Sequence, residues 1–524
     1  MTSTGKSLSL QAISGNLDYD KARHLLSRCL FGARKSEIDS LIGKSISSAV
    51  SMLLQNVDTP PPPVTYDAND LDVPVGETWI NAAYNSTYNT YRLRSLRSWW
   101  ISLMMQQGIS LTEKMTLFWH NHFVTETETV TYASMLYQYN QLLRKYALGN
   151  FRQLTYEMTI NPAMLIYLNG ESNKATAPNE NYGRELLELF TIGKGPLIAD
   201  GNYTNYTETD IKEAAKVLTG WRVNRTTYTS YFDSTRHDKT TKVFTEAFDK
   251  ANIANKDADE YKLLVDMIFS KKETARFITR EIYRWLMYYQ IDQNIEQQII
   301  EPLATTLFDN NYELKPMLEQ LLSSEHFFSS DYFGSQIKNP MDFTIGVFRK
   351  CEIALSSVVQ TNYEMWNEVF YSCRNMEMAI GDPPDVAGWP EYYKEPAYYQ
   401  LWINSATVPV RTTYTDTYVG SGLTKGNFKY VIDPFILTAK VSNPGDVTTL
   451  INSFAQILLP VPISAAQFQQ LRDAFIPGFT DGTWASEWNK YATNPNDATQ
   501  KTTISNKLKA LLKAIFRMPE FYLN

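Results

Sequence analysis

Apolar residues recur three and four apart along almost the whole chain, and that rhythm limits the fold to packed helices. Residues 18–31 carry Ala22, Leu25, Leu26, Cys29 and Leu30 at this spacing, which gives one apolar helical face. The pattern returns over 38–54. Over 91–107 it sets Leu96, Trp99, Trp100, Leu103 and Met104 on one stripe. Pro60 to Pro63 forms an extended connector between these segments. Ser110 and Glu113 read as a capping box opening the next helix. The β character of Val124-Thr125-Glu126-Thr127 predicts that this helix ends near Trp119. Further helices are expected at 132–148, 152–159, 180–193 and 207–219, the last begun by Thr207 with Asp210 as a weaker acidic cap. The rhythm resumes at 262–269, 273–289, 295–308, 314–327, 341–355 and 362–373. It returns at 398–406, 448–459 and 501–516.

One stretch breaks it. Residues 224–248 are rich in Thr226, Thr227, Tyr228, Thr229 and Tyr231, which favour short strands. The expected fold is therefore mainly α: a large multi-helix globular domain with a small β-hairpin-like insertion near residues 221–248. The main helical domain is read as 1–433. A C-terminal helical part, 434–524, either continues it or stands loosely beside it.

Charge and cysteine narrow the function. A net charge of -7 with no basic run argues against a nucleic-acid partner. No apolar stretch reaches the length needed to span a bilayer. Cys29, Cys351 and Cys373 are too widely spaced, and odd in number, for a disulfide framework or a zinc–cysteine site. The first residues carry no apolar signal region, which points by default to the cytoplasm. The 33 Tyr, 25 Phe and 11 Trp are enough to line a sugar-binding cleft, although most aromatics in any protein fill the core.

The chemistry-bearing residues cluster. Two of the five histidines lie in Trp119-His120-Asn121-His122-Phe123. On a helix, residues two apart point about 200° from each other, whereas in an extended segment both rings share a face and can ligate one ion. Asn181, Glu185 and Glu188 line a stripe at helical spacing, with Glu180 and Arg184 four apart. His237-Asp238 lies in the Thr-rich insertion. Pro383 to Pro390, followed by Glu391-Tyr392-Tyr393, is a proline-stiffened aromatic loop that suits the wall of a cleft, with Trp389, Tyr392 and Tyr393 as stacking platforms. His24 and His326 fall within apolar helical patterns and read as structural. There is no phosphate loop, nucleophile elbow, Cys-x-x-Cys or helical His-Glu-x-x-His.

These blocks resemble the bacterial family called domain of unknown function 1800. The matching pieces are His24-Leu25-Leu26-Ser27-Arg28-Cys29-Leu30-Phe31-Gly32, the Trp119–Phe123 block, and Asn179-Glu180-Asn181 leading into Arg184-Glu185-Leu186-Leu187-Glu188-Leu189-Phe190. Tyr206-Thr207-Glu208, Ala214 to Trp221, His237-Asp238 with Lys242, Pro383 to Pro390 and Trp402 to Thr407 complete the order. The resemblance implies no established activity. Family members often carry an export signal and a Gly soon after the His-Asp pair, where Thr240 and Thr241 stand here.

Three readings follow. In the first, His120, His122 and His237 join Glu185 or Glu188 in a metal-dependent enzyme. That mixed nitrogen and oxygen set suits zinc, iron or manganese without choosing among them. The metal would activate water or polarise a substrate oxygen, with Glu185, Glu188, Arg184 and Asn121 as catalytic partners and a polysaccharide or cell-envelope polymer as substrate. In the second, Asn121, His122, Tyr182 and Arg184 serve metal-free β-elimination on a polysaccharide, by fold-level analogy with helical lyases. In the third, the chain is a non-catalytic binding or assembly protein with a protein or polysaccharide partner.

Overall fold

The computed structural model describes residues 8–524, and among these helices dominate. Local signals set many helix starts. Asp18 accepts the Lys21 N–H at 2.8 Å to begin the Tyr19–Cys29 helix. Thr207 and Asp210 bond each other's backbone in a full capping box before Glu208–Val217, which satisfies two donors a helix start leaves open. The Ser110 box does not form. Ser110 Oγ accepts from Thr112 N at 3.2 Å, but Glu113 turns inward to Arg144 at 2.7 Å and to the Trp100 indole at 3.1 Å. A buried guanidinium outbids the local backbone for that carboxylate.

Several expected elements divide or shift. The 38–54 helix is two, Lys35–Leu41 and Ile46–Leu53, parted at Gly43 with φ +81°. The 180–193 helix is α-helical over Glu180–Glu185 and then widens into a π-helix, Leu186–Thr191. The helix holding the histidines runs on through Thr112–His122 rather than ending at Trp119. Three longer helices, Thr407–Val419, Ala465–Phe475 and Asp481–Thr493, and the short Pro162–Tyr167 and Pro434–Thr438 are not legible in the apolar rhythm, and the expected 398–406 helix is only a 3-10 turn, Tyr398–Trp402.

The strands are all short antiparallel pairs. In the insertion Trp221–Asn224 pairs with Thr229–Phe232, and Lys242–Val243 pairs with Asn252–Ile253. Two more pairs join Leu197–Ala199 to Asn202–Tyr203 and Leu423–Lys425 to Phe428–Tyr430.

The long helices Ser86–Gln106 and Val359–Asn375 pack along each other, and Thr112–His122 lies against Ala133–Lys145. Every residue of Thr112–His122 is buried. Helix Pro340–Lys350 is buried throughout as well, because Gly32 lets it come close: a Cβ on Gly32 would stand 2.7 Å from Gly346 Cα. Residues beyond 434 share the same apolar core. Lys350 Nζ donates to Leu458 O at 3.0 Å, and the Phe521 ring meets Phe343. Among the described residues no helix is long and apolar enough to cross a membrane.

Candidate functional site

Because the helix continues to His122, its two histidines diverge. The Gly381 N–H donates to His120 Nε2 at 3.1 Å, so the ring proton sits on Nδ1 and is given to Tyr139 Oη at 3.0 Å. Tyr139 passes its own O–H to the Phe123 carbonyl. This chain fixes one neutral tautomer. His122 points to the other side and donates from Nε2 to Phe190 O at 2.9 Å, at the end of the π-helix. Burial lowers both imidazoles to about 4. The extended His-x-His geometry is therefore not formed.

His237 is held elsewhere. Its Nδ1 meets Thr219 O at 2.9 Å and its Nε2 meets Glu260 Oε1 at 2.9 Å, while Lys242 Nζ pairs with Glu260 Oε2 at 2.7 Å. The side chains of His237, Lys242 and Glu260 are fully buried. Among the described residues, no group of three or more His, Cys, Asp or Glu is arranged to hold a metal ion.

The acidic helix splits its side chains among different partners. Arg184 forms a two-pronged pair with Glu208, 2.7 Å on each arm, and reaches Glu180 only at 3.8 Å. Glu188 accepts from Tyr206 at 2.8 Å and pairs with Lys194. Tyr182 is buried and donates to Met158 O at 3.3 Å. Glu185 is half-buried; burial, and then repulsion from Glu188, raise its carboxyl to about 7, with Asp385 of the proline-rich loop adding to the repulsion. Of the acidic stripe, Glu185 is the member whose environment suits proton transfer.

The loop from 381 to 393 is tied to the histidine helix by backbone recognition. His120 takes the N–H of Gly381, and Asn121 Oδ1 takes that of Trp389 at 2.9 Å. Asp382 accepts from Thr127 N at 2.7 Å and pairs with Arg97. Gly388 has φ +91°, and a Cβ there would stand 2.6 Å from Asn121 O and closer still to its side-chain oxygen. Only glycine fits that approach.

The aromatic platforms divide accordingly. Trp389 is wholly buried with its ring 5.8 Å from His120. Tyr392 stands between Trp285 and Trp402, with ring centres 4.5 and 6.2 Å away, and accepts from Asn339 Nδ2 at 3.0 Å. Trp389 offers no free face, whereas Tyr392 is partly buried and lines a cleft. Tyr393 stays at the surface, 38% exposed.

Beneath this loop is a narrow cleft lined by Lys114, Asp342, Trp285, Glu391, Tyr392 and Trp402, together with the buried Tyr398 and Tyr399 and the partly exposed Tyr289. Its free volume of about 20 Å3 is the room of about one water. Lys114 Nζ pairs with Asp342 Oδ1 in the buried wall. The short helix Pro390–Tyr393 carries Glu391 inward to 6% exposure. Its Oε2 has no hydrogen-bond partner, and burial raises the carboxyl to about 7, with a smaller push from Glu377. The indole N–H groups of Trp285 and Trp402 and the Nε of Arg284 are also buried without partners. Sequence reading reached the loop but missed Glu391, Lys114 and Asp342. The one available signal was a charged residue at an apolar helical position, as with Lys114 between Leu111 and Met115.

Comparison with known proteins agrees with the block order. No curated protein and no solved structure matches the chain. The family model described as "Protein of unknown function (DUF1800)" matches residues 24–523, which takes in the histidine helix, the acidic helix, the insertion and the proline-rich loop. The chain belongs to the DUF1800 family.

Proposed function

We propose that this chain is an acid/base enzyme in which Glu391 moves the proton, acting on a polysaccharide or related cell-envelope polymer. One observation carries the reading: a buried carboxyl group with an unpartnered oxygen, raised to about 7, inside a cleft. General acid/base catalysis is most efficient when the group titrates near working pH, and an apolar pocket against tryptophan is one way to raise a glutamate there. Asp342 is the other carboxylate lining the cleft. A pair of carboxyl groups is the usual equipment for glycoside cleavage. Among the lining tyrosines the partly exposed Tyr289 suits the apolar face of a sugar ring.

The role of Glu391 is to protonate the leaving oxygen as the glycosidic C–O bond breaks, while a water adds its oxygen to the anomeric carbon and returns its proton to Glu391. The Lys114–Asp342 pair orients the cleft wall, and the buried aromatic rings keep bulk water out. The test is a panel of acidic and neutral polysaccharides assayed for new reducing ends, with and without a chelator. Turnover that survives chelation and drops at least ~100-fold in Glu391→Gln supports the reading. Activity lost to the chelator and restored by zinc, iron or manganese returns the histidine-centred alternative. A near-ultraviolet-absorbing unsaturated product favours elimination. An inert panel leaves the binding or assembly reading.

A further inference from the structure

We infer that the cleft floor beneath the 381–393 loop takes a carboxylate, that of an acidic sugar residue in the substrate. The inference rests on the acid/base reading of the same cleft, and it is carried by unused donors. Buried polar groups in folded proteins nearly always have partners, so each orphan calls for an explanation. Three of the groups lining this cleft are donors without a partner: Trp285 Nε1, Trp402 Nε1 and Arg284 Nε. An indole N–H can only donate. Trp402 is wholly buried and Trp285 nearly so, which leaves bulk water unable to serve them. Lys114 adds a cation to the same wall.

The surroundings lean the same way. Arg28 and Arg411 both feel the charge of Asp342, and Asp342 already pairs with Lys114 and accepts from Asn524 Nδ2 at 3.3 Å. Arg28 donates to the carbonyls of Met287 and Tyr332 and to Ser335 Oγ. Arg411 donates to Lys338 O, and its Nε and Nη1 have no partner. One carboxylate thus stands against four buried basic side chains, Lys338 being the fourth. A second anion at the floor would reduce that excess and meet the orphan donors with charge-assisted hydrogen bonds.

Size makes the choice more specific. With room for about one water, the floor admits a single oxygen of an acid group and not a sugar ring. The ring stays outside, on the side of the partly exposed Tyr289.

The test is calorimetric binding of a galacturonate trimer, a neutral glucose trimer and acetate to the full chain and to its Glu391→Gln variant, which separates binding from turnover. The acidic trimer should bind at least tenfold more tightly than the neutral one, and also more tightly than acetate. Trp402→Phe and Trp285→Phe, each of which removes one N–H and keeps an aromatic ring, should each narrow the ratio. Circular dichroism identifies the variant that keeps its fold, and one folded variant suffices. Equal affinity for acidic and neutral trimers overturns the inference, as does acetate binding as tightly as the acidic trimer, or an unchanged ratio in a folded tryptophan variant. If the ratio holds while Glu391→Gln still turns over substrate, the anion site stands and the proton-transfer role of Glu391 falls.

Discussion

Asn121 accepts the backbone N–H of Trp389 at 2.9 Å, across 268 residues of sequence. With His120 taking the Gly381 N–H, the histidine block clasps the proline-rich loop and so presents Glu391 to the cleft. The block that most invites a metal reading is, in its geometry, a helix end, and the loop read as a cleft wall is the segment it recognises.

That clasp leaves no room for a side chain at position 388. Gly388→Ala should cost about 2–4 kcal/mol from left-handed strain and overpacking together. Asn121→Ala in the same chain should recover part of the loss, since only the side-chain half of the clash is relieved. Denaturant unfolding of the two single variants and the double variant measures the coupling, and full additivity would contradict the contact.

Glu391 makes stability fall as pH rises. Burial raises its carboxyl to about 7 in the folded chain against an ordinary value of 4.5, so between those values the folded state holds the extra proton. Stability from this group is present below about 4.5 and is lost by pH 7, a span of roughly 3 kcal/mol. Glu391→Gln should remove that slope in urea unfolding measured from pH 4.5 to 7.5.

His120 and His122 act in the opposite sense. Each is lowered from 6.5 to about 4 by burial, so between those values it is the unfolded chain that binds the proton. Stability therefore falls as pH drops from 6.5 towards 4, by roughly 3 kcal/mol for each ring. His122→Gln keeps a donor for Phe190 O and should flatten the acid limb of the unfolding profile. An unchanged limb would mean that the ring is not buried neutral.

The insertion depends on one carboxylate. Glu260 faces His237, Lys242 and the Lys256 N–H with no exposed surface. Glu260→Gln leaves buried Lys242 with only Asp238, 3.9 Å away, as countercharge and should cost about 3–5 kcal/mol. Pairing it with Lys242→Met should be milder, because both charges then leave together. Thermal unfolding of the single and double variants checks this order.

Local chemistry was readable wherever neighbours in sequence decide the outcome. The helical rhythm of 18–31, the Thr207–Asp210 box and the Thr-rich strands around Trp221 are all interactions within a few residues, and each is found in place. The Ser110–Glu113 box failed because Arg144, 31 residues on, holds the glutamate. The histidine helix outran its expected end because residues from Tyr139, Phe190 and Gly381 enclose both rings and satisfy them.

The amino-acid order alone determined a mainly helical chain with a small β insertion, and the family to which it belongs. Which carboxyl groups titrate near neutrality, which indoles are left without partners, and that three imidazoles are each spent on separate partners were decided only by tertiary packing. Burial and long-range hydrogen bonding set those properties, and neither is encoded in the spacing of residues along one helix.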